Sequence, residues 1–106
     1  MKREEAIARL RTRRADLAAM GVTRAYLFGS VAKDTAVEAS DIDVMVDLDE
    51  GPDGRKPLFS AFDIGGIQYQ LTQILGRNVD LVVRRDALQP GRKLRPVAQD
   101  QLVDVF

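Results

Sequence analysis

The sequence predicts an α/β domain of the mixed kind, a small sheet of about three strands with helices packed against it. Three observations carry this. Apolar residues recur near the helical period over 2–20 and 58–75. Short runs rich in aliphatic and β-branched residues lie between and after them, at 24–28, 41–48 and 78–83. With 106 residues, the chain suits a single domain, residues 1–106, and leaves little room for two.

In the first helix Ala6, Leu10, Leu17 and Met20 form the apolar stripe, with Ile7 beside them. Its arginines (Arg9, Arg11, Arg13, Arg14) read as a solvated face, and Gly21 is a plausible stop. Residues 24–28 (RAYLF) then form a strand that ends at Gly29-Ser30. Small and polar residues at 31–40 suit a turn or short helix and a loop. The run 41–48 (DIDVMVDL) alternates: Ile42, Val44, Val46 and Leu48 point one way, Asp41, Asp43, Met45 and Asp47 the other. DEGPDGRKP at 49–57 is a loop. The second helix takes its apolar positions from Phe59, Phe62, Leu71, Ile74 and Leu75, tolerates Gly65-Gly66, and stops at Gly76. NVDLVV at 78–83 is the third strand, followed by a turn at Pro90-Gly91 and a short helix between 93 and 104. Tyr26 and Phe28 suit the core or the sheet surface, and the apolar residues Leu102, Val103, Val105 and Phe106 suit packing on the sheet or on another chain.

Composition narrows the chemistry. Sixteen basic residues balance sixteen acidic ones, so no global field draws in nucleic acid and direct binding to it is not expected. No cysteine and no histidine are present. Thiolate and imidazole chemistry are excluded, a metal would be held by oxygen, and magnesium or manganese is favoured over zinc. No apolar run reaches membrane-spanning length and MKREEAIARL lacks a signal-peptide core, so no membrane partner and a cytoplasmic location are expected.

The informative stretch is GSVAKDTAVEASDIDV, from Gly29 to Val44. Asp41 and Asp43 share a strand face, and Asp80 sits mid-strand between Val79 and Leu81. If the two strands are neighbours, three carboxylates converge, lose solvation and repel one another until a divalent cation relieves them. Such a cation with a triphosphate is a recurrent arrangement for phosphoryl or nucleotidyl transfer. Gly29 allows a sharp turn and close approach of phosphate, and Ser30 with nearby amides suits the β- and γ-phosphates. Asp47 lies four residues past Asp43 and reads as structural or surface; Arg84 and Arg85 read as a solvated strand end. Tyr69 is open between core, partner surface and modification target.

That stretch resembles the signature of the minimal nucleotidyltransferases of the DNA polymerase β-like superfamily. It is especially similar to the MntA-like antitoxins of HEPN/MNT toxin–antitoxin pairs. The family pattern reads roughly G-S-x-A-x-G, then D-h-D-h, with h apolar. Gly29, Ser30 and Ala32 match its first part, Asp41 and Asp43 the metal-binding pair, and LGRNVDLVV the third-carboxylate strand, with Asp80 as the third acid. The resemblance covers nearly the whole chain. It implies a minimal nucleotidyltransferase fold with Asp41, Asp43 and Asp80 as catalytic metal ligands and Gly29, Ser30 and Lys33 at the phosphates. It implies a magnesium-dependent transfer of AMP from ATP to a hydroxyl, a tyrosine of a cognate HEPN-domain toxin, in a hetero-oligomer with that toxin. Two positions depart: Lys33 stands where arginine is frequent, and Asp34 where a second glycine is usual. Asp34 opens an alternative, an antitoxin with weak or no catalysis that neutralises by binding. A small-molecule acceptor is a further alternative, for which the chain is short.

Overall fold

The computed structural model describes residues 1–36, 40–50 and 59–106. The elements are α1 (Arg3–Thr12), α2 (Arg14–Ala19), β1 (Val22–Phe28), α3 (Gly29–Ala32), β2 (Ile42–Leu48), α4 (Ala61–Leu75), β3 (Val79–Val83), α5 (Arg84–Ala87), α6 (Arg95–Asp100) and β4 (Val103–Asp104). Four strands form one mixed sheet in the order β3-β2-β1-β4. β1 is antiparallel to both β2 and β4, and β2 is parallel to β3. Parallel neighbours need a crossover, and α4 supplies it.

The alternation of β2 decides which layer each side chain joins. Ile42, Val44 and Val46 enter the main core with Ala25 and Leu27 of β1, beneath Leu10, Leu17, Ile67, Leu71 and Leu75 of the covering helices. Tyr26, Phe28 and Met45 face the other way and pack with Ala87 and Ala98 under α5 and α6. Val105 is buried and Val103 and Phe106 pack on the main core, so the apolar chain end seats on the sheet.

The structure corrects several expected boundaries. The first helix is two helices. Thr12 Oγ1 donates to the Arg9 carbonyl at 2.8 Å, the acceptor that the Arg13 N–H would use in a continuing helix. Arg13 N–H bonds Leu10 O instead, and a new helix starts. β1 begins at Val22, two residues earlier than the aromatic run suggests. Asp41 lies just outside β2. The helix placed over 93–104 is confined to Arg95–Asp100, and the two-residue β4 is too short to leave a periodic signal. α4 begins at Ala61, where Ser60 and Asp63 form a capping box that holds the Asp63 carboxyl below its usual range. Phe62 is not an apolar-face residue of α4: it is 93% exposed. Five residues before buried Ile67, it points about 140° away around the helix. The loop expected over 49–57 lies outside the described residues from 51 onward.

Asp34 has a structural reason. It adopts a left-handed backbone, φ 59°. Asp34 N–H donates to Val31 O and Thr35 N–H to Ser30 O, the bonding pattern of a Schellman helix ending. Its left-handed position is ordinarily glycine, and aspartate is one of the few other residues that tolerate it. The carboxylate is engaged: Oδ1 accepts the Arg3 N–H at 3.1 Å, in the first turn of α1, whose N-cap Lys2 offers no side-chain bond. Asp34→Ala loses both features and should lower stability by about 1–2 kcal/mol in urea denaturation. Asp34→Gly loses only the carboxylate and should stay within about 1 kcal/mol of wild type. Equal stability of the two variants would remove the left-handed backbone as the reason.

Candidate active site

β1 leaves the sheet at Phe28 in an extended conformation and turns at once into α3 through Gly29, whose φ is +69°. A Cβ built on Gly29 collides with the Asp43 carboxylate. Glycine is therefore required twice, by its backbone and by its neighbour. Asp43 is the second residue of β2. Its register partners are Phe28 on β1 and Asp80 on β3. Neighbouring strands are about 4.8 Å apart, so the two carboxylates stand side by side on one face.

Their proximity has an electrostatic signature. Asp43 is half-buried and Asp80 exposed. Burial first, then the charges of Asp80 and Asp41, hold the Asp43 carboxyl above the usual carboxylate range. A proton on one of them would relieve the repulsion. A cation between them would serve the same end.

Gly29, Lys33, Asp43 and Asp80 line one cavity of about 780 Å³. Much of its lining is apolar: Phe28, Leu81, Val82, Leu94, Val97 and Val103. Gln68 on α4 and Gln101 after α6 add polar amides to the wall. Gln68 Nε2 donates to Val79 O at 2.9 Å and so ties α4 to the strand residue before Asp80. The apolar wall is the part that sequence reasoning missed. Its residues Leu94, Val97 and Val103 fall in the segment read only as a short helix and an apolar chain end that packs on the sheet.

Of the expected site residues, Gly29, Lys33, Asp43 and Asp80 come together here. Ser30 lies in α3 and is not among the lining residues. Asp41, exposed and ahead of β2, borders a second depression with Ser40, Thr72, Gln73 and Asn78. Its charge still reaches Asp43. Asp34 does not line the cavity. Asp47 is structural: its Oδ2 accepts the Tyr26 hydroxyl at 2.7 Å and its Oδ1 lies 3.8 Å from Arg84. Arg84 also stacks over the Tyr26 ring, and Arg85 pairs with Glu50 at 2.6 Å, so neither arginine is merely a solvated end.

The donor set suits a hard divalent cation. It is all oxygen, doubly negative at its centre and strained by like charge. Among the described residues no three acidic side chains gather into a ready-made cage. Magnesium is ordinarily held by one or two carboxylates together with substrate phosphates, for which an open pair beside a cavity is sufficient.

Residues 7–102 match the family described as the nucleotidyltransferase domain. A candidate protein adenylyltransferase of Methanocaldococcus jannaschii is 36% identical over 86 residues, covering 81% of this chain and 82% of that protein. A solved structure described as a candidate minimal nucleotidyltransferase superposes with a TM-score of 0.73 at 31% identity, covering 97% of this chain and 95% of the other. The fold also recurs, with a TM-score of 0.62 and 19% identity over 90% of this chain and 71% of the other, in a toxin–antitoxin crystal structure with AMP-PNP.

The raised Asp43 carboxyl makes a pH prediction. Between the ordinary aspartate value of 3.8 and its raised value, the folded chain holds a proton that the unfolded chain has released. Stability from this group therefore falls as pH rises through that window, and the loss is complete above it. Asp43→Asn should melt at a higher temperature than wild type at pH 7 without added metal. The difference should vanish below about pH 4. Coincident melting curves at pH 7 would show that the pair carries no charge strain.

Proposed function

This chain belongs to the nucleotidyltransferase domain family, and we propose that it transfers AMP from ATP to a protein hydroxyl, a tyrosine of a cognate HEPN-type toxin, as the antitoxin of the pair. One observation carries the reading most: Asp43 and Asp80 in register, next to a glycine that cannot bear a side chain, lining a cavity with apolar side chains. The relative named for protein adenylylation supports a protein acceptor. The toxin–antitoxin structure with AMP-PNP supports the partner class and an adenine nucleotide.

In this reading the Gly29 turn leaves room for the phosphates against the backbone, and Lys33 supplies positive charge beside them. Asp43 and Asp80 would hold magnesium, with Asp41 adding charge nearby; when bound, the ion neutralises the triphosphate and makes pyrophosphate a better leaving group. The acceptor oxygen attacks the α-phosphorus as the bond from that phosphorus to the departing pyrophosphate oxygen breaks. Asp80, the more exposed of the pair, takes the hydroxyl proton; the chain has no histidine for the task. The apolar wall suits the nucleobase. Ser30 would reach the phosphates only through its hydroxyl, from beside the cavity. The alternative of neutralisation without turnover rests on Asp34, whose carboxylate accepts the Arg3 N–H and does not line the cavity, which supports turnover.

The test is transfer of label from α-labelled ATP, with magnesium, to the co-expressed partner protein. Wild type should label it. Asp43→Asn and Asp80→Asn should each lose about a hundredfold or more, while Asp47→Asn keeps the rate. An unlabelled partner, with folded protein and intact complex, would defeat the catalytic reading.

A further inference from the structure

Helix α4 carries a face that the proposed chemistry does not use. Phe62 is 93% and Tyr69 65% exposed. They are seven residues apart, two helical turns, on one stripe. Between them lie Gly65 and Gly66. The stripe is opposite the buried residues Ile67, Leu71, Ile74 and Leu75.

Among the described residues nothing requires the two glycines. Neither has a positive φ. A Cβ on Gly65 would meet nothing within 4 Å, and one on Gly66 only the end of Met20 at 3.6 Å, an ordinary contact. Each costs the helix about 1 kcal/mol against alanine. Such a position has a use when another backbone approaches closely from outside. The helix is also almost without charge: Asp63 is the one charged residue among the fifteen of α4 in a chain that is 30% charged. A solvated helix face is ordinarily charged.

The stripe is self-complementary. When two copies of α4 cross antiparallel about a two-fold axis between Gly65 and Gly66, each Phe62 faces the second copy's Tyr69. The four glycines then meet at the crossing, where small residues set how close two helices come. Asp63, the one charge of α4, lies off the stripe with its carboxylate bound at Ser60, so like charges do not oppose across the crossing. An aromatic side chain buries about 150–250 Å². At these exposures the four rings would bury roughly 600 Å² in all. That is a small contact, in the range of weak, transient association.

We infer that this face of α4 is an isologous contact between two copies of this chain, anchored by Phe62 on Tyr69 across a glycine crossing. The association is weak and reversible, and it leaves the cavity at Asp43 and Asp80 open. It does not depend on the proposed reaction.

Sedimentation velocity on the full chain, from about 1 µM to about 1 mM, tests it. The weight-average mass of wild type should rise from one chain toward two. Phe62→Glu should weaken association by about thirtyfold or more, with an unchanged melting temperature because the side chain is already in solvent. Gly65→Gln should also abolish association while raising the melting temperature, since it improves the helix and blocks the crossing. That opposite pair of changes is one that a purely structural glycine would not give. A wild type that stays monomeric throughout overturns the inference and leaves the face to a partner of other sequence; a dimer that Phe62→Glu leaves intact overturns it as well.

Discussion

Two carboxylates of like charge stand side by side where β2 and β3 run parallel, and the local architecture holds them there. The register pairs Asp43 with Asp80. The α4 crossover fixes which strand becomes the neighbour, and Gln68 pins that helix to the strand backbone one residue before Asp80. On the other side Gly29 gives up a side chain so that the Asp43 carboxylate has a place. The repulsion and partial burial raise the Asp43 carboxyl, an unfavourable arrangement for folding alone. The proposed magnesium and triphosphate would relieve this strain.

The family's glycine motif gains a physical meaning from the Asp34 departure. The second glycine of that pattern falls on the left-handed residue that ends α3. The constraint is on backbone conformation, and aspartate meets it at modest cost. Its carboxylate then turns toward α1 and takes an otherwise orphaned N–H, away from the cavity. A residue that looks in sequence like a repulsive charge at the phosphates is a fastening between the first helix and the loop after the first strand.

Much of the fold is legible in the sequence because it rests on local rules. The alternation of 41–48 places Asp43 on the face opposite Ile42 and Val44, and Gly76 ends α4 in the left-handed conformation that glycine favours. What was not legible depends on particular side chains or on distant partners. The helix break at Arg13 follows from one Thr12 hydroxyl competing for a carbonyl. Asp41 falls outside β2, though its neighbour Ile42 pairs with the backbone of Asn78. β4 exists only because β1 offers it an edge. The pairing of Asp43 with Asp80 needed the strand order, which no local pattern states. The cavity's apolar wall needed the C-terminal segment to fold back across the sheet, so its residues read as ordinary core.

The central claim is that the Asp43–Asp80 pair exists to accept a divalent cation together with a triphosphate. Calorimetric titration with a non-hydrolysable ATP analogue measures this most directly, in magnesium and in chelator, on wild type and on the Asp43→Asn, Asp80→Asn double variant. In chelator the carboxylates repel the triphosphate, so the double variant should bind at least as tightly as wild type. In magnesium the order should reverse, with wild type binding more tightly. The same order in both conditions, or a wild-type affinity that magnesium leaves unchanged, would contradict the account.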